Sequence, residues 1–297
     1  MRKGESGQAL VLVLLSLSVV LTIVLFVLSR SVTDISTSTE QADSVRAFSA
    51  AEAGIERALI TGSGSSENFE DASYSVSVSD YSKGARSFNY PAPLLSGETM
   101  TNWFVSHDPN TGKITCDPPF PCFKGDTLKV CWGNPGSTEI PAVEVSVYYK
   151  TDPKDLKTVQ IARAAYDPTV IRAASNSFSS PVDGTCQIGG VTYAFQKTIT
   201  MSGLGIPAGS YNVANGLLFA KIRMLYNTGS GHVIGTDVNF ASNGNSTLPS
   251  QGLDIVSTGT SGTSGNLSNR RVSVFRGWPE FPFSGLAVFY PYGGITK

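Results

Sequence analysis

The 297-residue chain contains little charge and almost no histidine. Charged residues make up 15% of it and the net charge is −1, so composition gives no electrostatic reason to expect nucleic-acid binding. The two histidines, His107 and His232, stand outside any nucleophile or metal-ligand motif. HExxH and GxSxG motifs and a phosphate-binding loop are missing as well. The sequence therefore predicts no catalytic site, no metal site and no cofactor.

Charge is missing altogether from an N-terminal apolar run between Ala9 and Leu28. About twenty residues suffice to cross a hydrocarbon core of roughly 30 Å as a helix. Arg2 and Lys3 precede the run, and a short basic flank stays cytoplasmic. A cleaved secretory signal is the alternative, but this run is longer than a signal core and no small-residue cleavage site comes after it. We expect a single-pass protein in membrane lipid, with a cytoplasmic N-terminus and an extracytoplasmic head.

Helix breakers are missing from the segment beyond the apolar run. No proline precedes Pro91, and no glycine lies between Gly7 and Gly54. Apolar residues recur at helical separations, at Val32, Ile35, Ala42, Val45, Phe48, Ile55 and Leu59. We therefore expect residues 8–61 to form one transmembrane and stalk helix of roughly 80 Å. The glycine- and serine-rich residues 62–70 are expected to be a flexible linker.

Residues 71–297 have no convincing helical pattern and contain many short β-type runs. These runs are Tyr74 to Val78, Leu128 to Trp132, Val143 to Lys150, Val159 to Ala165, Tyr193 to Met201, Leu217 to Tyr226, Leu253 to Ser257, Arg271 to Phe275 and Leu286 to Tyr290. The pattern predicts an α+β protein in which a long N-terminal helix precedes a β-rich head, an antiparallel sandwich with an irregular subdomain near residues 80–125. The low-complexity stretch Thr258 to Gly265 predicts a mobile hairpin loop.

The head contains all four cysteines of the chain, Cys116, Cys122, Cys131 and Cys186. An extracytoplasmic compartment permits disulfides, and three pairings are possible. The short proline-rich loop between the first two favours their pairing, which would leave the last two as partners, although spacing alone does not decide the connectivity. A zinc site is the alternative, but the spacings contain no CxxC pair.

Two N-terminal motifs carry a family resemblance. Gly7-Gln8-Ala9-Leu10-Val11 opens the apolar run, and RAFSAAEAGIERAL, residues 46–59, closes the stalk. Together they resemble the N-terminal region of type IV pilin-like proteins, in particular minor pilins of the PilX type. The resemblance covers about the first sixty residues of the chain.

The resemblance implies that prepilin peptidase removes residues 1–7 by cutting after Gly7, which leaves Gln8 as a usually methylated N-terminus; Gly4 is a second, less favoured site. Glycine is expected to leave the backbone extended and accessible there. The implied partners are other pilin subunits, through the N-terminal helix, the peptidase and the inner-membrane assembly platform. Major pilins carry a glutamate where this chain has Leu12, and its absence favours a minor, priming or tip role over a repeating one.

Glu52 is expected in the middle of the apolar stripe that contains Phe48, Ile55 and Leu59. A carboxylate in such a position requires a cationic partner. It pairs with a neighbouring pilin or holds the head against the stalk; alternatively it pairs within its own chain or is simply exposed. With Leu12, these four residues are the candidate assembly residues.

The sequence thus predicts a structural, non-catalytic minor pilin or pseudopilin-like subunit of a type IV pilus or related surface filament. A permanently anchored surface binding protein or adhesin is the alternative. An anchored enzyme would require a fold that places His107 or His232 in a cleft beside a cysteine or a carboxylate.

Overall fold

A computed structural model describes residues 6–109, 111–180, 184–239, 247–263 and 266–280. Its helices are α1 (Ser6–Thr61), α2 (Val170–Asn176) and α3 (Ala208–Tyr211). Its strands are β1 (Ser65–Asn68), β2 (Ala72–Asp80), β3 (Ser87–Asn89), β4 (Thr99–Trp103), β5 (Ser106–His107), β6 (Ile114–Thr115), β7 (Thr127–Trp132), β8 (Ala142–Lys150), β9 (Val159–Tyr166), β10 (Cys186–Ile188), β11 (Val191–Tyr193), β12 (Phe195–Thr200), β13 (Leu217–Leu225), β14 (Ile234–Asp237), β15 (Gly252–Thr263) and β16 (Asn266–Gly277). The chain is therefore α+β, with a long apolar helix and then a β-rich domain.

The chain divides into two compact units. Unit 1 comprises Met1–Val78 and Ile255–Val274, and unit 2 comprises Ser79–Asp254 and Phe275–Lys297. This differs from the expected single head over residues 71–297, because strand segments from both ends of that range belong to the same unit as α1.

Helix α1 is continuous over 56 residues. It is long and apolar enough to cross a membrane, and its most apolar stretch is not buried by the rest of the chain. The helix begins at Ser6, so Gly7 has helical backbone and the expected extended conformation at that glycine is wrong.

Unit 1 contains a four-stranded sheet in the order β1-β2-β15-β16, in which β1 and β2 are antiparallel. Helix α1 packs against it through small residues: Ala47, Ala51 and Ala58 are fully buried. A Cβ added to Gly259 of β15 would lie 1.9 Å from the carbonyl oxygen of Ala47, and one added to Gly54 would lie 2.3 Å from Oγ of Ser257. The two backbones approach so closely because neither side of the contact carries a large side chain.

Two expectations about flexible segments are corrected in unit 1. Residues 65–68, expected in the flexible linker, form β1 and pair with residues 73–76. Most of the stretch Thr258 to Gly265, expected to be a loop, belongs to β15, whose residues alternate between buried and partly buried. Only small residues such as glycine and serine fit where β15 packs closely against the helix. The composition of this part of the strand therefore resembles that of a loop.

Unit 2 contains two four-stranded antiparallel sheets, β12-β7-β14-β3 and β4-β13-β8-β9. Alternate residues of both sheets share one hydrophobic core, including Val130 and Trp132 of β7 and Val145 and Val147 of β8. The strands expected near residues 128–132, 143–150, 159–165 and 217–226 are present. The run Tyr193 to Met201 is divided at Ala194 between β11 and β12, and helix α2 was not expected. The strand expected at residues 286–290 lies outside the described residues.

Candidate assembly surface on the long helix

The C-terminal part of α1 has large apolar side chains on its solvent-exposed side. Val45 is 65% exposed, Phe48 45% and Leu59 37%. Glu52 is also exposed and lies among them, because residues three, four and seven apart share a helix face. We call Val45, Phe48, Glu52 and Leu59 the stalk stripe.

Ile55 does not belong to this surface. It is only 6% exposed and is buried within unit 1, so the expectation that it shares the exposed surface with Phe48 and Leu59 is wrong. Its position on the helix lies between the stalk stripe and the alanines that face the sheet. The sheet covers the side of α1 that carries alanine and glycine. The side that carries the larger apolar residues stays exposed to solvent.

The spacing of small residues in the sequence indicates which side of α1 is buried. Ala47, Ala51, Gly54 and Ala58 are separated by four, three and four residues, which aligns them on one helix face. Such alignment permits close backbone approach to a partner element. The partner, however, is supplied by β15, some two hundred residues further along the chain.

Glu52 makes no ion pair within the part of the chain that the structure describes. Two cations near this part of the helix have other partners: Arg46 lies 3.4 Å from Asp43, and Arg270 of β16 donates to Oγ of Ser44 at 2.8 Å. Of the alternatives, simple exposure of Glu52 therefore fits the described residues. Its carboxylate faces solvent within an apolar surface.

The apolar run of α1 is exposed along its length. Leu12 is 67% exposed and has only apolar or hydroxyl-bearing neighbours along the run. The hydroxyls of Ser16, Ser18 and Thr22 donate to backbone carbonyls of the same helix at 2.9, 2.8 and 2.7 Å. Because these polar groups are satisfied internally, the run presents an apolar exterior suited to lipid or to another apolar helix.

Both disulfides join the cysteines that the loop spacing favoured. Cys116 bonds to Cys122 and Cys131 bonds to Cys186. The second bond is buried with Ile188 and Tyr193 and connects β7 to β10. All four cysteines are thus oxidised, and no three histidine, cysteine or acidic side chains among the described residues are grouped as metal ligands.

His232 is buried beside a serine and a carboxylate, which are groups that catalysis uses, but its hydrogen bonds run in the wrong direction for a base. Its Nδ1 accepts from the backbone N–H of Asn134 at 3.0 Å, which places the proton on Nε2, 3.4 Å from Oγ of Ser230. Ser230 in turn donates to Glu139 at 2.6 Å. These hydrogen bonds hold the surrounding loops together, and burial lowers the pKa of His232 while that of Glu139 is lowered mainly by the Ser230 hydroxyl.

His107 lies between two tryptophans instead of in a cleft. Its ring is 4.4 Å from that of Trp103, edge-on, and 5.0 Å from that of Trp278, stacked. The side chain is 5% exposed and its Nδ1 has no hydrogen-bond partner. Burial lowers the pKa of His107 to about 4. The sulfurs that pack against this cluster, those of Cys116 and Cys122, are tied in a disulfide and supply no thiolate.

Replacing His107 with phenylalanine is expected to remove an acid-dependent loss of stability. The folded-state pKa of about 4 lies below the usual 6.5, so the unfolded chain takes up the proton first as the pH falls. The resulting loss in the free energy of unfolding is absent above pH 6.5, grows between pH 6.5 and 4, and amounts to about 3 kcal/mol below pH 4. Phenylalanine keeps the ring between the tryptophans without titrating. Urea denaturation should show a constant difference in unfolding free energy between the two proteins above pH 6.5, and a loss of about 3 kcal/mol by the native chain relative to the variant between pH 6.5 and 4. A difference that stays constant at every pH would contradict the assignment.

Helix α1 thus combines an apolar run, a small-residue side packed on its own sheet, and an exposed stripe that contains one carboxylate. Comparison with protein-family models, curated proteins and solved structures finds no match.

Proposed function

We propose that the chain is a membrane-anchored, non-catalytic subunit similar to minor pilins, which packs through α1 into a type IV pilus or related surface filament. The observation that carries this proposal is the stalk stripe, which continues an exposed apolar run on one unbroken helix. Covering an exposed Phe, Val or Leu side chain contributes about 1.5–3 kcal/mol when burial is complete. Parallel helices of neighbouring subunits would cover both the stripe and the run after the chain leaves the lipid.

The finer features of the proposal come from the sequence: the topology from the basic N-terminal flank, the sandwich from the strand pattern, and the partners and the position in the filament from the resemblance in the first sixty residues. The N-terminus is cytoplasmic, the β-rich head is extracytoplasmic, and its two antiparallel sheets pack as a sandwich. The partners are other pilin subunits, prepilin peptidase and the inner-membrane assembly platform. The lack of a carboxylate at Leu12 supports a priming or tip position, since this subunit has no intramembrane charge to neutralise a neighbour's N-terminal amine.

Replacing Gly7 with leucine is expected to abolish leader removal, so that every chain keeps Met1. Leucine adds bulk at the cut and raises helix propensity by roughly 1 kcal/mol, which opposes the local unwinding that a peptidase requires. The matched control is Gly4→Leu, which leaves the favoured site intact and should yield mature chains that begin at Gln8. Intact mass measures both. Normal processing of the Gly7 variant, or loss of processing in the Gly4 variant, would contradict the assignment.

The alternative of an anchored surface binding protein is supported by helix α2 in unit 2. Val170 is 71% and Ile171 84% exposed on this short helix. The turn is held firmly, because Arg172 binds the buried Asp167 through two of its nitrogens, at 2.6 and 2.8 Å. Burial of Asp167 opposes ionisation, but the hydrogen bonds from Arg172 and the Thr169 amide outweigh it and lower the pKa of its carboxyl. Two exposed apolar side chains on a helix that is held in place are suited to contact with another protein surface.

One experiment separates the two functions. The N-terminal mass of the protein is measured in native membranes and in material sheared from the cell surface. Chains that begin at Gln8 and occur in the sheared fraction support the filament subunit. Chains that keep Met1 and remain in the membrane overturn it in favour of the anchored binding protein.

A further inference from the structure

We infer that residues 286–290, with the sequence LAVFY, form an additional strand that pairs with the outward edge of β9 in unit 2. The inference goes beyond the proposed function and does not depend on it. These residues have the β-type composition of a strand and belong to the same unit as β9. The added strand would extend the sheet β4-β13-β8-β9 by a fifth member.

The outward edge of β9 has backbone groups without partners. Its C-terminal end is covered, because the amide of Ser179 donates to the carbonyl of Ala165 at 2.9 Å and the amide of Asp167 donates to the carbonyl of Ser179 at 3.0 Å. Alternate residues of a strand bond to the same side, so the backbone groups of Ile161 and Arg163 also point outward. Neither residue has a backbone partner on that side among the described residues. Such an edge is a template for another strand.

The surface beside this edge is apolar. On the face of the sheet away from the shared core, Ile161 lies opposite Tyr148 of β8, and Tyr148 lies opposite Phe219 of β13. The rings of Tyr148 and Phe219 stack at 4.3 Å. This apolar row begins at the cluster around Trp103 and ends at Ile161, which is 45% exposed. A strand rich in large apolar residues would cover Ile161 and continue the row.

The other edges of the two sheets in unit 2 are less suited to an apolar strand. At β4 the buried side chain of Gln251 accepts from the amide of Trp103 at 2.7 Å and donates to its carbonyl at 3.0 Å, which occupies that edge. Strand β12 has polar side chains at its centre, Gln196, Lys197 and Thr198, and β3 has only three residues. Among the described strands of these sheets, β9 therefore combines unpaired backbone groups with an apolar surface.

Glu280 places the start of the segment over the same sheet. Its carboxylate accepts from the hydroxyl of Thr101 in β4 and from the ammonium group of Lys221 in β13, the latter at 2.5 Å. A strand beyond β9 lies three strand spacings from β13, which is about 14 Å. The extended residues 281–285 span up to about 17 Å. Residues 286–290 can therefore reach the edge while Glu280 keeps its contacts.

Hydrogen exchange of the full-length chain in detergent tests the pairing. The amides of Ile161 and Arg163 should exchange at least about tenfold more slowly in the native chain than in the double variant Ala287→Pro/Val288→Pro. Two successive prolines remove a donor that faces β9 whichever of the two positions points towards it. Fast exchange of both amides in the native chain would overturn the inference.

The matched control is Ile295→Pro/Thr296→Pro, which introduces the same residues beyond the β-type run and should keep the native protection. The amide of Ala162 points towards β8, so it should stay protected in all three proteins and shows that the sheet is intact. Protection at the edge that survives in the first variant, or that rises with protein concentration, overturns the inference, because another chain would then cover β9.

Cysteine trapping decides the matter without proline variants. All four native cysteines are in disulfides, so an introduced pair supplies the only thiols. Arg163→Cys is combined in turn with one of five substitutions, Leu286→Cys, Ala287→Cys, Val288→Cys, Phe289→Cys and Tyr290→Cys. Side chains alternate between the faces of a strand, so we expect intramolecular disulfides only at positions of one parity. Equal trapping at all five positions, no trapping, or trapping only as a dimer overturns the pairing.

Discussion

Replacing both Cys131 and Cys186 with alanine is expected to lower the free energy of unfolding of unit 2 by about 4 kcal/mol. This disulfide closes a loop with a sequence separation of 55 residues, so its loss returns considerable chain entropy to the unfolded state. Both cysteines are buried, which leaves a small cavity in addition. Urea denaturation followed by tryptophan fluorescence measures the effect, since the tryptophans lie in unit 2.

The second disulfide of the same unit serves as the control. Cys116 and Cys122 are separated by only 6 residues, so replacing both with alanine should cost about 2 kcal/mol by the same entropy argument. The order of the two losses is the test. A larger loss from the short loop would show that packing in the cluster around Trp103, and not loop closure, determines the contribution of these bonds.

Replacing Gly259 with alanine is expected to destabilise unit 1 by about 3 kcal/mol, at the upper end of the usual cost of overpacking. The added methyl group would lie 1.9 Å from the carbonyl oxygen of Ala47 and 2.6 Å from the amide nitrogen of Ala51. Both contacts involve helix backbone, which cannot rotate away as a flexible side chain does, so α1 and β15 must separate. Hydrogen exchange of the amides of residues 47–58 measures the loss of protection.

The control for this substitution is Gly209→Ala in α3. No atom lies within 4 Å of a Cβ added there, so the methyl group meets open space. Because alanine favours helix over glycine by roughly 0.5–1 kcal/mol, this variant should be as stable as the native chain or slightly more stable. Equal stability of the two variants would contradict the close packing of the helix on β15.

Features that depend on neighbouring residues were predictable. The apolar run and the absence of proline and glycine predict α1, and β-type alternation predicts strands such as β7 and β8. The short loop between Cys116 and Cys122 likewise favoured the observed disulfide pairing. Each of these inferences uses only residues that lie close together in the chain.

Features that depend on distant residues were missed. Gly259 and Ser261 were expected in a loop because small residues are typical of loops, whereas here they permit a strand to lie against a helix. Ile55 was expected on the assembly surface because helical periodicity identifies an apolar face without stating what covers it. Helix α2 was missed because its seven residues are too few for a clear period.

The sequence by itself determined the membrane-length helix and the β-rich character of the chain beyond that helix, because local composition and periodicity suffice for these. Only the tertiary structure decided which side of the helix stays exposed. That side depends on where β15 packs, and the strand packs on the alanines and glycines because its backbone approaches only where side chains are small. Glu52 is left on the open side, without a cation among the described residues, by a contact between segments some two hundred residues apart.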